Sequence, residues 1–264
     1  MRNAFANTAI LERKICGLGV HACGFVVADE PVSDWAPVST CSIEDSKGNE
    51  QFVNCTQYDG WHVESSGLIK FDFLGLKTLF QMRDICASVK VHYDKDFDIE
   101  KISMDDEKMM ELFQTGQTDD VFQFSSKGMQ KYLQKLHPTC FEDLVILNCM
   151  YRPGPMEYIE TLVRQKHSKK AVKYMIPCSE KYLHNTYGTI VYQEQVMMLS
   201  RLIANFDRSE SDLLRKALGK KKMDVLSVLK PRFIEGGIKN GHKKNAIEKV
   251  WNEMEAKGMY AFQK

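Results

Sequence analysis

The spacing of hydrophobic residues changes once along this chain, near residue 76, and that change constrains the fold more than any other feature. Before it, short aromatic or β-branched segments stand between turn residues, which is typical of strands. After it, apolar residues recur every three or four positions, which predicts helices. The sequence therefore predicts the α+β class, with a small strand-containing part followed by a larger helical part.

The individual elements follow from the same patterns. Strands are predicted at residues 24–28 and 69–73, and a weaker strand at 51–58. A helix is predicted at 76–91, and the acidic residues at 103–107 predict the start of another helix, where the helix dipole favours negative charge.

Two helices near the end of the chain have the clearest apolar stripes. The first, at 192–206, places five apolar residues on one face, and they are Tyr192, Val196, Leu199, Ile203 and Phe206. The second stripe consists of Ala246, Ile247, Val250, Trp251 and Met254. Both stripes predict buried helix faces.

Composition limits the function less than the pattern does. With 36 basic and 35 acidic side chains in 264 residues the net charge is +1, so local charge clusters must show whether nucleic acid is a partner. Eight cysteines without a Cys-x-x-Cys pair argue against a zinc site and for reduced thiols. The sequence has no apolar run long enough for a membrane span and no leader pattern, so a cytoplasmic protein is predicted.

Neither end of the chain has the pattern of a domain boundary. The first residues do not read as the start of a domain, and the last residues, 260–264, follow no helix stop signal. We therefore expect the chain to be part of a longer protein.

The strand at 69–73 carries the first candidate site. Its alternation puts Ile69, Phe71 and Phe73 on one face and Lys70 and Asp72 on the other. A carboxylate fixed beside a cation suits a site for Mg²⁺ and a triphosphate. If Asp72 is a metal ligand, we expect it to lie on a central strand, with Ile69, Phe71 and Phe73 buried behind it against helices. A surface ion pair on an edge strand gives the same pattern, and the strand taken alone favours that simpler interpretation.

A second candidate is Arg152, which is followed by Pro153, Gly154 and Pro155. The prolines and the glycine fix the backbone and would hold the guanidinium ready for bidentate phosphate recognition. A turn between two helices with a solvated arginine fits the same residues.

A third candidate is a basic run that contains no acidic residue: Arg215, Lys216, Lys220, Lys221 and Lys222. Gly219 is placed to end a helix and would leave the three lysines on a turn, where they could contact phosphates. Charge runs are also common on solvated helix faces, and the spacing of a P-loop is absent.

Six segments together resemble successive motifs of the C family of bacterial replicative DNA polymerases. They occur in that family's order and at its approximate spacing, and they cover residues 19–24, 67–76, 121–124, 151–156, 192–197 and 214–221.

The resemblance implies a fold and two domains. Residues 1–90 would be the C-terminal part of a catalytic palm of the nucleotidyltransferase type, as in polymerase β. Residues 91–264 would be a helical fingers domain that is truncated at its C-terminal end.

The resemblance also implies a reaction and site residues. A primer 3′-hydroxyl would attack a deoxynucleoside triphosphate opposite template DNA, with two Mg²⁺ ions held by three aspartates, of which Asp72 would be the third. Lys70 lies two residues before it, and the positions expected to contact nucleotide or DNA are Arg152, Arg215, Lys220 and Lys221. The implied partners are primer–template DNA, the dNTP and other replisome subunits. Gln123 and Gln193 lie in family motifs without an assigned role.

Several positions depart from the family pattern. The first two catalytic aspartates would lie upstream of residue 1, so the isolated chain is expected to be inactive. Asp120, Ser125 and Gln263 stand where the family has glycine, glutamate and asparagine. A non-catalytic DNA-binding remnant and a helical interaction scaffold remain as alternatives, and the basic cluster in 213–222 argues against the scaffold.

Overall fold

The computed structural model describes residues 8, 12, 14, 17, 19–21, 23–44, 48–104, 106–168, 170 and 172–264. The chain divides into two compact units, Met1–Phe97 and Asp98–Lys264. The strands are β1 (Gly24–Val27), β2 (Val38–Glu44), β3 (Glu50–Thr56) and β4 (Ile69–Asp72). The helices are α1 (Gly60–Ser65), α2 (Lys77–His92), α3 (Glu107–Thr115), α4 (Lys127–Leu136), α5 (Phe141–Met150), α6 (Ile159–Lys166), α7 (Glu180–Leu183), α8 (Gln193–Ala204), α9 (Arg208–Gly219), α10 (Met223–Lys239) and α11 (Lys244–Lys257).

This mainly helical structure with small sheets agrees with the predicted α+β class. The predicted strands at 24–28, 51–58 and 69–73 and the predicted helix at 76–91 are confirmed as β1, β3, β4 and α2. Strand β2 was not predicted, because Ser, Thr and Cys separate its few apolar residues. Within the described part of the chain, no helix has both the length and the apolar character to cross a membrane.

The first unit contains two antiparallel pairs of strands. β1 pairs with β4 so that Phe25 lies opposite Phe71, and β2 pairs with β3. In the described part of this unit, three buried residues, Ala36, Val63 and Leu68, form a cluster, and Val26 of β1 packs against it. Helix α2 has no buried residue. The described residues of this unit therefore form a small core.

One face of the β1–β4 sheet is apolar and exposed. Phe71 is 44% exposed and Phe73 66%, and Ile69 on the same face is 59% exposed. The rings of Phe25 and Phe71 each lie about 6 Å from the ring of Phe73. The prediction that Ile69, Phe71 and Phe73 are buried against helices is wrong for these residues, because no described element of the unit covers this face.

The second unit has a helical core around α8. The predicted stripe of α8 is confirmed, since all five of its apolar residues are buried. The stripe of α11 is also confirmed, with four of its members buried and Ala246 packed against the core. Gly236 of α10 lies so close to the carbonyl of Ala204 that a larger residue would collide with backbone. Helices α8 to α11 therefore pack closely.

A further core joins α3 to α6. It includes Met129, Leu133, Leu147 and Ile159, all at most 1% exposed. The predicted helix start at 103–107 is confirmed in position: α3 begins at Glu107, and the Asp106 carboxylate accepts a hydrogen bond from the Met109 amide. Asp105 of that segment lies outside the described residues.

Candidate functional site

In the first unit, Lys70 and Asp72 lie on the face of β4 opposite to the phenylalanines, as the alternation predicts. The Asp72 carboxylate is 54% exposed, and its Oδ1 lies 3.9 Å from Nδ1 of His21. Lys70 pairs with Glu64 of α1 at 3.4 Å. Lys70 and Asp72 therefore do not form an ion pair with each other. The predicted site residues share a face but have different partners.

Asp72 was also expected to lie on a central strand, and this expectation is wrong for the described residues. Among the described residues, β4 pairs only with β1, so the described sheet has two open edges. The Asp72 carboxylate is accordingly accessible to solvent.

The described residues do not form a two-metal centre. Among them, no three His, Cys, Asp or Glu side chains come together as metal ligands. Mg²⁺ requires near-octahedral oxygen ligands, usually carboxylates together with substrate phosphates. Asp72 alone supplies one such carboxylate, so the residues present do not fit two Mg²⁺ ions.

In the second unit, Arg152 is held in the turn that follows α5. Its Nε donates to the Cys149 carbonyl at 2.9 Å, and its Nη2 donates to the Tyr260 carbonyl at 3.3 Å. The guanidinium lies 4.5 Å from the centre of the Phe262 ring. Gly154 has a φ of +103° and packs against the Tyr260 ring, so a side chain there would collide. The predicted turn is confirmed, and its arginine is anchored rather than simply solvated.

Arg215 on α9 is held from two sides. Its Nε and Nη2 donate to the Asp212 carboxylate at 2.9 and 2.8 Å, and its Nη1 donates to Oε1 of Gln193 at 3.1 Å. Hydrogen bonds from Lys216 and Arg215 lower the pKa of Asp212 below its ordinary value, so this carboxylate is ionised at neutral pH. Arg215 thus has a fixed orientation on the surface of the unit.

The last residues of the chain connect the two arginines. We call residues 260–264 the terminal segment. The backbone amide of Gln193 donates to the Phe262 carbonyl at 2.7 Å, and the backbone amide of Phe262 donates to the Val191 carbonyl at 2.9 Å. The Lys264 ammonium pairs with Glu142 at 2.6 Å. The terminal segment therefore lies along the start of α8 and reaches the turn of Arg152.

Lys220 and Lys221 lie at the turn after α9, which ends at Gly219 as predicted. Lys221 has a left-handed backbone (φ 51°), and both lysines are exposed, as is Lys222. No ion pair between described residues involves Lys221 or Lys222. This turn presents positive charge to solvent.

The structure thus brings Arg152 and Arg215 into one connected cluster, while Lys220 and Lys221 follow at the end of α9. Lys70 and Asp72 belong to the other unit. Gln193, which links the arginines, received no role from the sequence, since only its place in a motif marked it. The departures Asp120, Ser125 and Gln263 are all exposed, so none of them disturbs a core.

Comparison with known proteins identifies relatives over most of the chain. Residues 78–241 match the model of the bacterial DNA polymerase III alpha subunit finger domain, and residues 2–75 match that of the bacterial DNA polymerase III alpha NTPase domain. The DNA polymerase III subunit alpha of Aquifex aeolicus (strain VF5) is 40% identical over 247 residues, which is 93% of this chain and 21% of that protein.

The corresponding protein of Staphylococcus aureus (strain COL) is 39% identical over 232 residues, which is 88% of this chain and 21% of that protein. The chain therefore spans about a fifth of the length of the curated relatives it matches.

Proposed function

The chain belongs to the family of bacterial DNA polymerase III alpha subunits, and from this premise we propose that it forms part of a replicative DNA polymerase. The proposed reaction joins a deoxynucleotide to the 3′-hydroxyl of a primer on a DNA template and releases pyrophosphate. Residues 1–90 are proposed to belong to the catalytic palm and residues 91–264 to the fingers. The proposed partners are primer–template DNA, dNTP and other replisome subunits, in the cytoplasm.

The observation that carries this proposal is the fixed arginine cluster of the second unit. The hydrogen bonds described above use three of the five N–H groups of Arg215 and two of the five of Arg152. The remaining N–H groups are donors that a phosphate oxygen can accept from. Because the guanidinium groups are already oriented, binding a triphosphate costs little side-chain entropy.

Such a cluster suits the proposed reaction. A triphosphate carries several negative charges, and more charge develops on the leaving pyrophosphate as the bond to the α-phosphorus breaks. Arg152 and Arg215 would neutralise this charge from preset positions. Preset charges stabilise a transition state effectively because they need no reorganisation while the reaction proceeds. Asp212 offsets part of the charge of Arg215 and in exchange fixes its orientation.

Lys220 and Lys221 are proposed to contact the phosphate backbone of DNA. They are exposed on a turn, and long flexible ammonium side chains bind phosphates mainly through their charge. Such contacts carry no sequence information, so binding would be non-specific and would weaken as salt rises.

Asp72 is proposed to supply one carboxylate ligand of the Mg²⁺ ions in the complete polymerase, with Lys70 beside it neutralising phosphate charge. Bound Mg²⁺ would supply Lewis-acid chemistry at the phosphate. Because the described residues contribute one such carboxylate, we expect the 264-residue chain alone to extend no primer. A gel assay with primer–template, dNTPs and Mg²⁺ measures this directly, and template-directed extension by the chain alone would contradict it.

The proposal is tested by replacing the arginines in the complete polymerase. We expect Arg152→Ala and Arg215→Ala each to raise the KM for dNTP by about ten- to a hundredfold, which corresponds to losing a charge-assisted hydrogen bond. Steady-state primer extension over a range of dNTP concentrations measures this. Arg208→Ala is the matched control, because Arg208 is exposed at the start of the same helix as Arg215. Unchanged KM in both arginine variants would refute the assignment.

A second candidate function is DNA binding without catalysis, which the exposed lysine turn favours. The chain would then bind primer–template DNA with an affinity that falls as salt rises. A plot of log affinity against log salt concentration has a negative slope. Replacing Lys220, Lys221 and Lys222 by alanine should make this slope shallower, by up to about 0.9 for each phosphate that is no longer neutralised. The triple replacement of Lys239, Lys243 and Lys249 removes the same charge from another exposed surface. Equal slopes for both triple variants would show that the turn is only solvated surface.

A further inference from the structure

We propose that Gln193 is a positioning residue that sets Arg152 and Arg215 relative to each other for the triphosphate. The inference rests on the proposed function, because the proposed function is what assigns these two arginines to the nucleotide. It goes further in giving a role to a neutral side chain that contacts one arginine directly and the other through the terminal segment.

The Gln193 side chain uses both ends of its amide. Oε1 accepts from Nη1 of Arg215 at 3.1 Å, and Nε2 donates to the Ala261 carbonyl at 3.1 Å. Its backbone amide donates to the Phe262 carbonyl at 2.7 Å. As the first residue of α8, Gln193 has no intrahelical acceptor for this N–H, and the terminal segment provides one. Gln193 is thus fixed by three hydrogen bonds to two other parts of the unit.

The terminal segment carries the connection on to Arg152. Three successive carbonyls are used in order: Tyr260 accepts from Arg152, and Ala261 and Phe262 accept from Gln193. The Phe262 ring also lies under the Arg152 guanidinium. A shift of Gln193 would therefore move the segment that Arg152 rests on as well as the acceptor that holds Arg215.

The neutral amide has an advantage over a carboxylate in this place. Asp212 already orients Arg215 but offsets its charge. Gln193 orients the other edge of the same guanidinium without a further negative charge, so the cluster keeps its attraction for an anion. The orientation of the Arg215 guanidinium is thereby fixed with little loss of its attraction for the triphosphate.

The test is Gln193→Ala in the complete polymerase, with Gln193→Met as a second variant that keeps the volume but has no amide. We expect both variants to raise the KM for dNTP about tenfold, with kcat changed less than about twofold. Gln114→Ala is the matched control. Gln114 is a part-buried glutamine on α3 whose side-chain amide donates to the Pro138 carbonyl at 2.7 Å, a contact outside the arginine cluster. This control should lower the melting temperature and leave the KM unchanged.

A double variant separates positioning from a merely structural role. In the background of Arg215→Ala, we expect Gln193→Ala to raise the KM by less than tenfold, because the part of its effect that acts through the contact with Arg215 is already lost. An equal increase in both backgrounds, or no increase in the single variants, would overturn the role of Gln193. If Arg215→Ala itself leaves the KM unchanged, the proposed role of Arg215 fails, and that result is distinct from the failure of Gln193 alone.

Discussion

The two units of this chain differ in how much of their apolar surface they bury. Residues 98–264 contain two extensive helical cores, in which Phe233 and Trp251 are at most 1% exposed. Among the described residues of 1–97, one core cluster has three buried members, and the apolar sheet face leaves Phe71 and Phe73 in solvent. A core of that size contributes little against the entropy of ordering the chain. We therefore expect the second unit to be stable on its own and the first to need further structure over its sheet.

The candidate site residues of the two units differ in the same way, since those of the second unit are held more firmly. Arg152 and Arg215 are tied by hydrogen bonds to backbone carbonyls and to partly buried neighbours. Asp72 has one described ionic neighbour, the exposed His21. A site on a well-packed unit is preorganised, whereas a carboxylate on an open two-stranded sheet acquires its geometry only when further structure surrounds it.

The largest expected effect comes from separating the units. Residues 98–264 alone should unfold in one cooperative thermal transition, with a free energy of unfolding in the usual range of about 5–15 kcal/mol. Residues 1–97 alone should show no cooperative transition. Circular dichroism at 222 nm during heating measures both, at a wavelength that reports helix content. A sharp transition of 1–97 alone would remove the contrast between the units.

A pair of phenylalanine variants sharpens the comparison at single residues. Phe233 is fully buried between Phe206 and Trp251, so Phe233→Ala should lower the free energy of unfolding by about 3–5 kcal/mol. Phe71→Ala should change it by less than about 1 kcal/mol, since the ring is 44% exposed. Urea denaturation of the 264-residue chain measures both. A comparable loss for Phe71→Ala would mean that the sheet face is covered in solution.

The sequence predicts those features that depend on local pattern. The stripe of α8 is fixed by the step of three and four from Tyr192 to Phe206, and all its members are buried. The alternation of β4 correctly separates Lys70 and Asp72 from the phenylalanines. It does not tell what covers the apolar face, because burial depends on the rest of the fold.

Contacts between distant parts of the chain are the other feature that local pattern does not predict. The hydrogen bond of Gln193 to the Ala261 carbonyl joins residues 68 positions apart, and the polar residues involved show no periodicity. The turn of Arg152 was predicted from its prolines, but its anchoring by Tyr260 and Phe262 was not. The domain boundary at 90 stays a prediction, and so do the roles of all the site residues: Lys70, Asp72, Arg152, Arg215, Lys220 and Lys221.

Asp143 is the buried aspartate of the second unit. It is 1% exposed and accepts hydrogen bonds from Lys166 at 2.6 Å, from Tyr187 at 2.7 Å and from the Thr139 amide at 2.8 Å. Burial pushes the pKa of Asp143 up, but these hydrogen bonds outweigh burial and hold it below its ordinary value. Asp143→Ala leaves the Lys166 charge buried and unpaired and should cost about 3–5 kcal/mol in urea denaturation.

The lowered pKa of Asp143 also fixes the sign of a pH effect. The stabilisation is present above the unfolded-state pKa of about 4 and is lost as the pH falls through the folded-state value. The unmodified chain should therefore lose stability below about pH 4, and the variant Asp143→Ala should lose less over the same range. Parallel pH profiles of the two proteins would contradict the assignment. The double variant Asp143→Leu with Lys166→Met should recover part of the loss, because no charge is then buried without a partner.

The smallest expected effect on stability is that of Asp72→Asn, the corresponding change in the first unit. Asp72 is half exposed, and its distance of 3.9 Å to His21 makes a weak surface pair, so the free energy of unfolding should change by less than about 1 kcal/mol. Asp84→Asn on α2 is the matched control, because Asp84 is exposed and pairs with Arg83. Placed in the complete polymerase, Asp72→Asn should abolish primer extension, whereas Asp84→Asn should leave it unchanged. An active Asp72→Asn polymerase would make Asp72 an ordinary surface residue. A loss of several kcal/mol would instead mean that this carboxylate holds the fold, as Asp143 does in the second unit.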